Sequence, residues 1–134
     1  MDDNSRAQKL QEMLGKKDTA GGNSGGSWPD SPQVLDTPVF DNTVKQYPVC
    51  VVDFWANRCQ PCRVMEPLVH ELAKEYQGKV FFGKVNTDEN IELTNKLGIR
   101  SIPTFCVFKN AELVHKAEGI IARNEFVALL KPYL

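Results

Sequence analysis

Two thiols separated by two residues, Cys59 and Cys62, lie in the stretch VVDFWANRCQPCRVMEP from Val51 to Pro67. An apolar, β-branched run comes before them and an amphipathic helical pattern follows, so the thiols are expected at a helix N-terminus. There the unsatisfied backbone N–H groups and the positive end of the helix dipole stabilise a thiolate and lower its pKa. The thiolate is the form that attacks a disulfide. A spacing of two brings the second sulfur within bridging reach of the first, so a mixed disulfide formed at Cys59 can be resolved by Cys62. Cys59, at the exposed end of the turn, is the expected nucleophile, and Cys62, one turn in, the resolving thiol. The pair is a two-electron switch. The competing use of such a pair is half of a metal site, but a zinc site needs about four ligands. There is no second CxxC, and His70 and His115 stand at no ligand-like spacing to the first, so no metal is expected.

Other side chains carry weaker signals. Asp53 stands inside an apolar run, where burial raises a carboxyl pKa; its plainer use is a structural pairing with Lys84. Cys50 and Cys106 fall in the middle of apolar runs and are expected to be small buried hydrophobes. His70 and His115 are expected on the surface and receive no role.

The elements that must position these groups can be read from periodicity. Val49 to Trp55 is apolar on both faces, β-branched and preceded by Pro48, the pattern of a central strand. The helix after the turn carries Cys62, Met65, Val69, Leu72, Ala73 and Tyr76 at helical spacing and stops at Gly78, with a kink expected near Pro67. Lys79 to Asn86 is a second buried strand, and Asp88 to Leu97 a short helix ended by Gly98. Thr104 to Lys109 and Leu113 to Glu118 are strands joined by a hairpin, and Asn124 to Leu130 is a closing helix. Upstream, Val34 to Val39 reads as an edge strand broken by Pro38, and Asn42 to Tyr47 as a helical turn or two. Strands alternating with helices give an α/β fold with a mixed sheet.

The first 33 residues differ in kind. Ala7, Leu10, Met13 and Leu14 share one face of a short helical pattern, either a frayed tail or a docking segment. Residues 15–33, GKKDTAGGNSGGSWPDSPQ, form a linker by composition, so the extension is expected to be mostly disordered. Trp28 either packs on the folded part or stays exposed. The division is residues 1–33 as extension and 34–134 as one domain. The 134-residue chain is 42% hydrophobic and 25% charged, with net charge −1. These values suit a soluble domain with one core and leave no basic footprint for nucleic acid. No apolar run approaches the ~20 residues of a membrane span, and the acidic, polar N-terminus is not a secretory signal. A cytoplasmic location is expected.

With CQPC on a strand–turn–helix, the order of elements resembles the thioredoxin family over about 100 residues. The agreeing motifs are VDFWA at Val52 to Ala56, the two cysteines, Pro67, KVNTDEN at Lys84 to Asn90, IPT at Ile102 to Thr104, FKN at Phe108 to Asn110, and Gly119. The resemblance implies a thioredoxin fold, with a central mixed sheet flanked by helices on both faces, and a cis bond before Pro103. It implies that Asp53 takes a proton from Cys62 during resolution, with Lys84 tuning that proton. It implies a substrate groove formed by Trp55, Gln60, Pro61, Ile102, Pro103, Gly119 and Ile120, in which the backbone of Ile102 pairs with an extended substrate segment. Two positions depart from the family's usual turn. Arg58 stands where a second tryptophan is usual and Gln60 where glycine is usual; the added positive charge favours the thiolate at Cys59.

The expected function is reduction of disulfides in cytoplasmic proteins by a monomer with a Cys59–Cys62 redox-active disulfide. It would be re-reduced by a thioredoxin reductase and need no bound cofactor. The alternatives are a disulfide oxidase or isomerase, and a thioredoxin-fold binding module without redox turnover.

Overall fold

The computed structural model describes residues 28–134. In chain order the elements are β1 (Gln33–Val34), α1 (Thr37–Gln46), β2 (Val49–Trp55), α2 (Gln60–Glu75), β3 (Phe81–Asn86), α3 (Ile91–Lys96), β4 (Thr104–Lys109), β5 (Glu112–Glu118) and α4 (Arg123–Leu130), followed by a single 3-10 turn over Lys131–Tyr133. The amphipathic pattern around Ala7 to Leu14 and the Gly/Ser-rich linker up to residue 27 lie outside the described residues.

The strands form one sheet in the order β1-β3-β2-β4-β5. β2 sits in the middle, parallel to β3 and antiparallel to β4. A strand with neighbours on both sides and helices on both faces has no polar face, which is why β2 is apolar almost throughout. Alternate residues divide between two cores. Val49 and Val51 join Met65, Leu72, Phe82, Phe105 and Phe126 beneath α2 and α4. Cys50, Val52 and Phe54 join Phe40, Phe81 and Cys106 on the side of α1 and α3. Fully burying one such large side chain stabilises by about 1.5–3 kcal/mol. Asp53 has the parity of Val49 and Val51 and so faces α2.

Local chemistry sets the connections. Asn110 and Ala111 both have positive φ between β4 and β5, and Lys109 pairs with Glu112, a two-residue hairpin turn of the kind that needs φ > 0 twice. At Gly83 an added Cβ would stand 2.6 Å from Leu35 Cδ1, so glycine lets the chain after β1 close onto β3. Pro67 lies within α2, whose helical run continues past it to Glu75.

One expectation is overturned. Val34 to Val39 is not an edge strand: β1 has only two residues and Thr37 to Val39 belong to α1. Pro38 opens this helix, where its missing N–H is no loss and its fixed φ already suits the first turn. The side chain of Asn90 then closes the start, its Oδ1 accepting from Thr37 N and Thr37 Oγ1, each at 2.8 Å. α3 is shorter than the expected Asp88 to Leu97. α3 begins at Ile91 because Asn86 Oδ1 accepts from Asp88 N and Glu89 N, holding those residues in a turn. Trp28 packs on the domain: its ring meets Tyr47 edge-on at 4.8 Å, Tyr47 stacks on Phe81, and Gln77 Nε2 donates to Trp28 O.

Candidate active site

β2 ends at Trp55 and the chain turns through Ala56 to Arg58 into α2, with Cys59 N donating to Ala56 O at 3.1 Å. Cys59 caps the helix: its Sγ accepts from Cys62 N at 3.2 Å. Pro61 occupies the first turn, where no donor is lost. Cys59 and Cys62 form a disulfide with their Cα atoms 5.3 Å apart. A sulfur on a helix cap, receiving a backbone N–H, is placed for thiolate character once reduced. Both cysteines are buried and pack with Ala56 against half-buried Trp55 and Ile102.

Arg58, Gln60 and Pro61 are exposed on this turn. The bond between Ile102 and Pro103 is cis, and Ile102 meets the cysteine cluster. Neither the N–H nor the C=O of Ile102 bonds to another backbone group among the described residues. Gly119 N donates to Pro103 O at 2.8 Å; its φ of 86° is one that side chains rarely adopt. Ile120, next to it, is 60% exposed. The structure thus brings Trp55 and Ile102 to the cysteines, with the cis bond to Pro103 directly after Ile102, and ties Gly119 to the same loop.

Asp53 lies behind the pair, 8% exposed. Burial pushes its carboxyl up to about 7, with Lys84 opposing and Glu66 reinforcing the rise. Asp53 and Lys84 are register partners across β2 and β3, yet they make no ion pair: Lys84 Nζ stands over the Trp55 ring, 4.7 Å from its centroid. The simple structural pairing is therefore not formed, and Lys84 acts on Asp53 only through its field. Cys50 and Cys106 are free thiols, fully buried, and desolvation pushes both up to about 12. They are inert hydrophobes at ordinary pH. His70 and His115 are exposed. No cluster of three or more His, Cys, Asp or Glu side chains among the described residues is arranged to hold a metal ion.

Sequence reasoning passed over Glu66 and His70, which line a cavity of about 160 Å³ shared with Asp53 and Cys62. The signal was present: Cys62, Glu66 and His70 recur every four residues, one stripe along a helix.

The chain as a whole is similar to known proteins. A family model described as Thioredoxin matches residues 31–132. The chain belongs to the thioredoxin family. A thioredoxin from Synechocystis sp. is 38% identical over 104 residues, covering 78% of this chain and 97% of that one. The thioredoxin M-type, chloroplastic, of Pisum sativum is 41% identical over 104 residues, covering 76% of this chain and 60% of its own length. A solved structure of a mutant thioredoxin from Halobacterium salinarum superposes with a TM-score of 0.74 at 30% identity, covering 80% of this chain and 94% of that one. With its cysteine pair closed as a disulfide at the head of α2, this thioredoxin-family chain is a thiol–disulfide oxidoreductase, a protein-disulfide reductase of the thioredoxin type.

Proposed function

We propose that the protein reduces disulfides in cytoplasmic substrate proteins and is itself re-reduced by a thioredoxin reductase. The observation that carries this reading is the reversible-bond geometry of Cys59 and Cys62, capping α2 with a protonatable carboxyl buried behind them. The Cys59 thiolate attacks a substrate disulfide, one substrate sulfur leaves with the electron pair, and a mixed disulfide forms. Asp53 then takes the proton of Cys62, and the Cys62 thiolate attacks Cys59 Sγ. The second substrate sulfur leaves, so the substrate gains two electrons and the protein closes its own disulfide.

Trp55, Gln60, Pro61, Ile102, Pro103, Gly119 and Ile120 form the substrate groove in this reading. The free backbone groups of Ile102 support it, since an extended peptide can pair there as an added strand. The protein acts as a monomer and uses no bound cofactor. Residues 1–33 are the extension and 34–134 the catalytic domain, with Trp28 anchoring the end of the extension. No helix among the described residues is long and apolar enough to cross a membrane.

Cys62→Ser tests the scheme. With no resolving thiol, the variant is expected to accumulate covalent, thiol-reversible adducts with disulfide-bearing proteins at Cys59, seen as mass shifts on non-reducing gels. A binding module would yield none and would keep its partners after Cys59→Ser.

A further inference from the structure

The cavity beside Cys62 is lined by Asp53, Trp55, Cys62, Glu66, His70 and Lys84, among others. Two buried polar atoms of these residues, Asp53 Oδ1 and Trp55 Nε1, have no hydrogen-bond partner in the protein. Buried polar groups are nearly always satisfied by protein or by ordered water, and a polar cavity of about 160 Å³ has room for several waters. Glu66 and His70 line it yet are exposed, so they stand at its mouth. The charged and titratable groups around Asp53 are Lys84 from β3 and Arg63, Glu66 and His70 from α2, with Cys62 beside it; the register partner from β4 is the apolar Phe105. Of the carboxylates, only Glu66 lines the cavity with Asp53. Its field opposes loss of the Asp53 proton, against Lys84, which favours it.

We propose that Glu66 is a positioning residue for the resolving step: from the mouth of the cavity its carboxylate, acting across cavity water, makes Asp53 a stronger base toward the thiol of Cys62. This inference rests on the proposed reading of Asp53 as that base. In the step, the proton on Cys62 Sγ passes to the Asp53 carboxylate, a bond forms from Cys62 Sγ to Cys59 Sγ, and the bond from Cys59 Sγ to the substrate sulfur breaks. The substrate sulfur leaves as a thiolate with the electron pair. The proton held by Asp53 then returns to solvent through the cavity that Glu66 borders. A carboxylate at this place keeps a negative charge near Asp53 without burying itself, so it adds basicity at little desolvation cost.

The test is the pH profile of resolution, using full-length protein loaded at Cys59 with thionitrobenzoate as a mixed disulfide and following release of the coloured thiol. The rate of the unaltered protein is expected to rise with pH along a limb set by Asp53. Glu66→Gln is expected to move that limb to lower pH and to lower the plateau severalfold, because a weaker base ionises earlier and draws the thiol proton less well. Glu66→Lys should move it further. Glu71→Gln, on the same helix but outside the cavity, should leave it in place. A merely structural role for Glu66 would depress the plateau without moving the limb, and that result overturns the proposal. Asp53→Asn separates the two layers of the argument. If Asp53→Asn removes the limb while Glu66→Gln leaves it unmoved, Asp53 stands as the base and the role of Glu66 falls. If the limb survives Asp53→Asn, both readings fall together.

Discussion

At the scale of single residues, the proposed chemistry depends on one carboxyl placed where it destabilises the fold. Asp53 ionises near its ordinary value of 3.8 in the unfolded chain and at about 7 in the folded one. Below about pH 4 both states hold the proton and burial exacts no ionic penalty. Between about 4 and 7 the folded chain keeps a proton that the unfolded chain has lost, so stability falls as pH rises. Above about 7 the loss is complete, at about 4 kcal/mol. Asp53→Asn is therefore expected to raise stability by about 2–4 kcal/mol at pH 8 and to leave it nearly unchanged at pH 4, measured by urea unfolding at the two pH values. An equal effect at both would contradict the assignment of the shift to burial. Asp53 was legible as anomalous in the sequence because a charge interrupts an apolar, β-branched strand. Glu66 left only a faint trace, its four-residue spacing from Cys62, because an exposed glutamate on a helix is what any solvated face presents, and the cavity is what distinguishes it.

At the scale of elements, α2 and the loop before β4 bring the thiols and the cis-proline together, and the two cores hold those elements against the sheet. Phe126 of α4 is fully buried and meets Phe105 of β4 edge-on at 5.1 Å. Phe126→Ala is expected to lower stability by about 3–5 kcal/mol, through lost burial and the cavity left behind, as seen in chemical denaturation. A loss under 1 kcal/mol would mean that α4 does not anchor this face. At Gly119, φ is 86° and the N–H holds Pro103 O. Gly119→Val is expected to strain the loop and weaken substrate turnover more than stability, measured by comparing the rate of disulfide reduction with the denaturation midpoint. Most elements were legible because their periods are long and unbroken. The start of α1 was not: Pro38, after Asp36 and Thr37 and before an apolar pair, signals either a broken edge strand or a helix opening. The choice is made by Asn90, 53 residues away, whose side chain receives Thr37.

At the scale of the whole molecule, the chain carries more than the catalytic fold. Trp28, inside a segment whose composition reads as linker, is buried against Tyr47 and held by Gln77, partners that lie far along the chain and leave no local trace. Removing residues 1–27 is expected to leave the thermal midpoint within a degree or two. Removing 1–28 is expected to lower stability by about 3 kcal/mol, the scale of losing a buried aromatic; equal midpoints for the two truncations would show that Trp28 does not anchor the domain. The direction of electron flow is also a property of the whole, set by how far helix capping, Arg58 and the buried carboxyl favour the dithiol over the disulfide. The most direct test is the reduction potential of the Cys59–Cys62 pair, obtained by equilibrating the protein in graded thiol buffers and counting alkylated cysteines by mass. Each tenfold change in the equilibrium constant shifts a two-electron potential by about 30 mV. A reductase is expected to fall below the glutathione poise of the cytosol, more negative than roughly −220 mV. A value above about −180 mV, or a pair that never closes, would contradict the account.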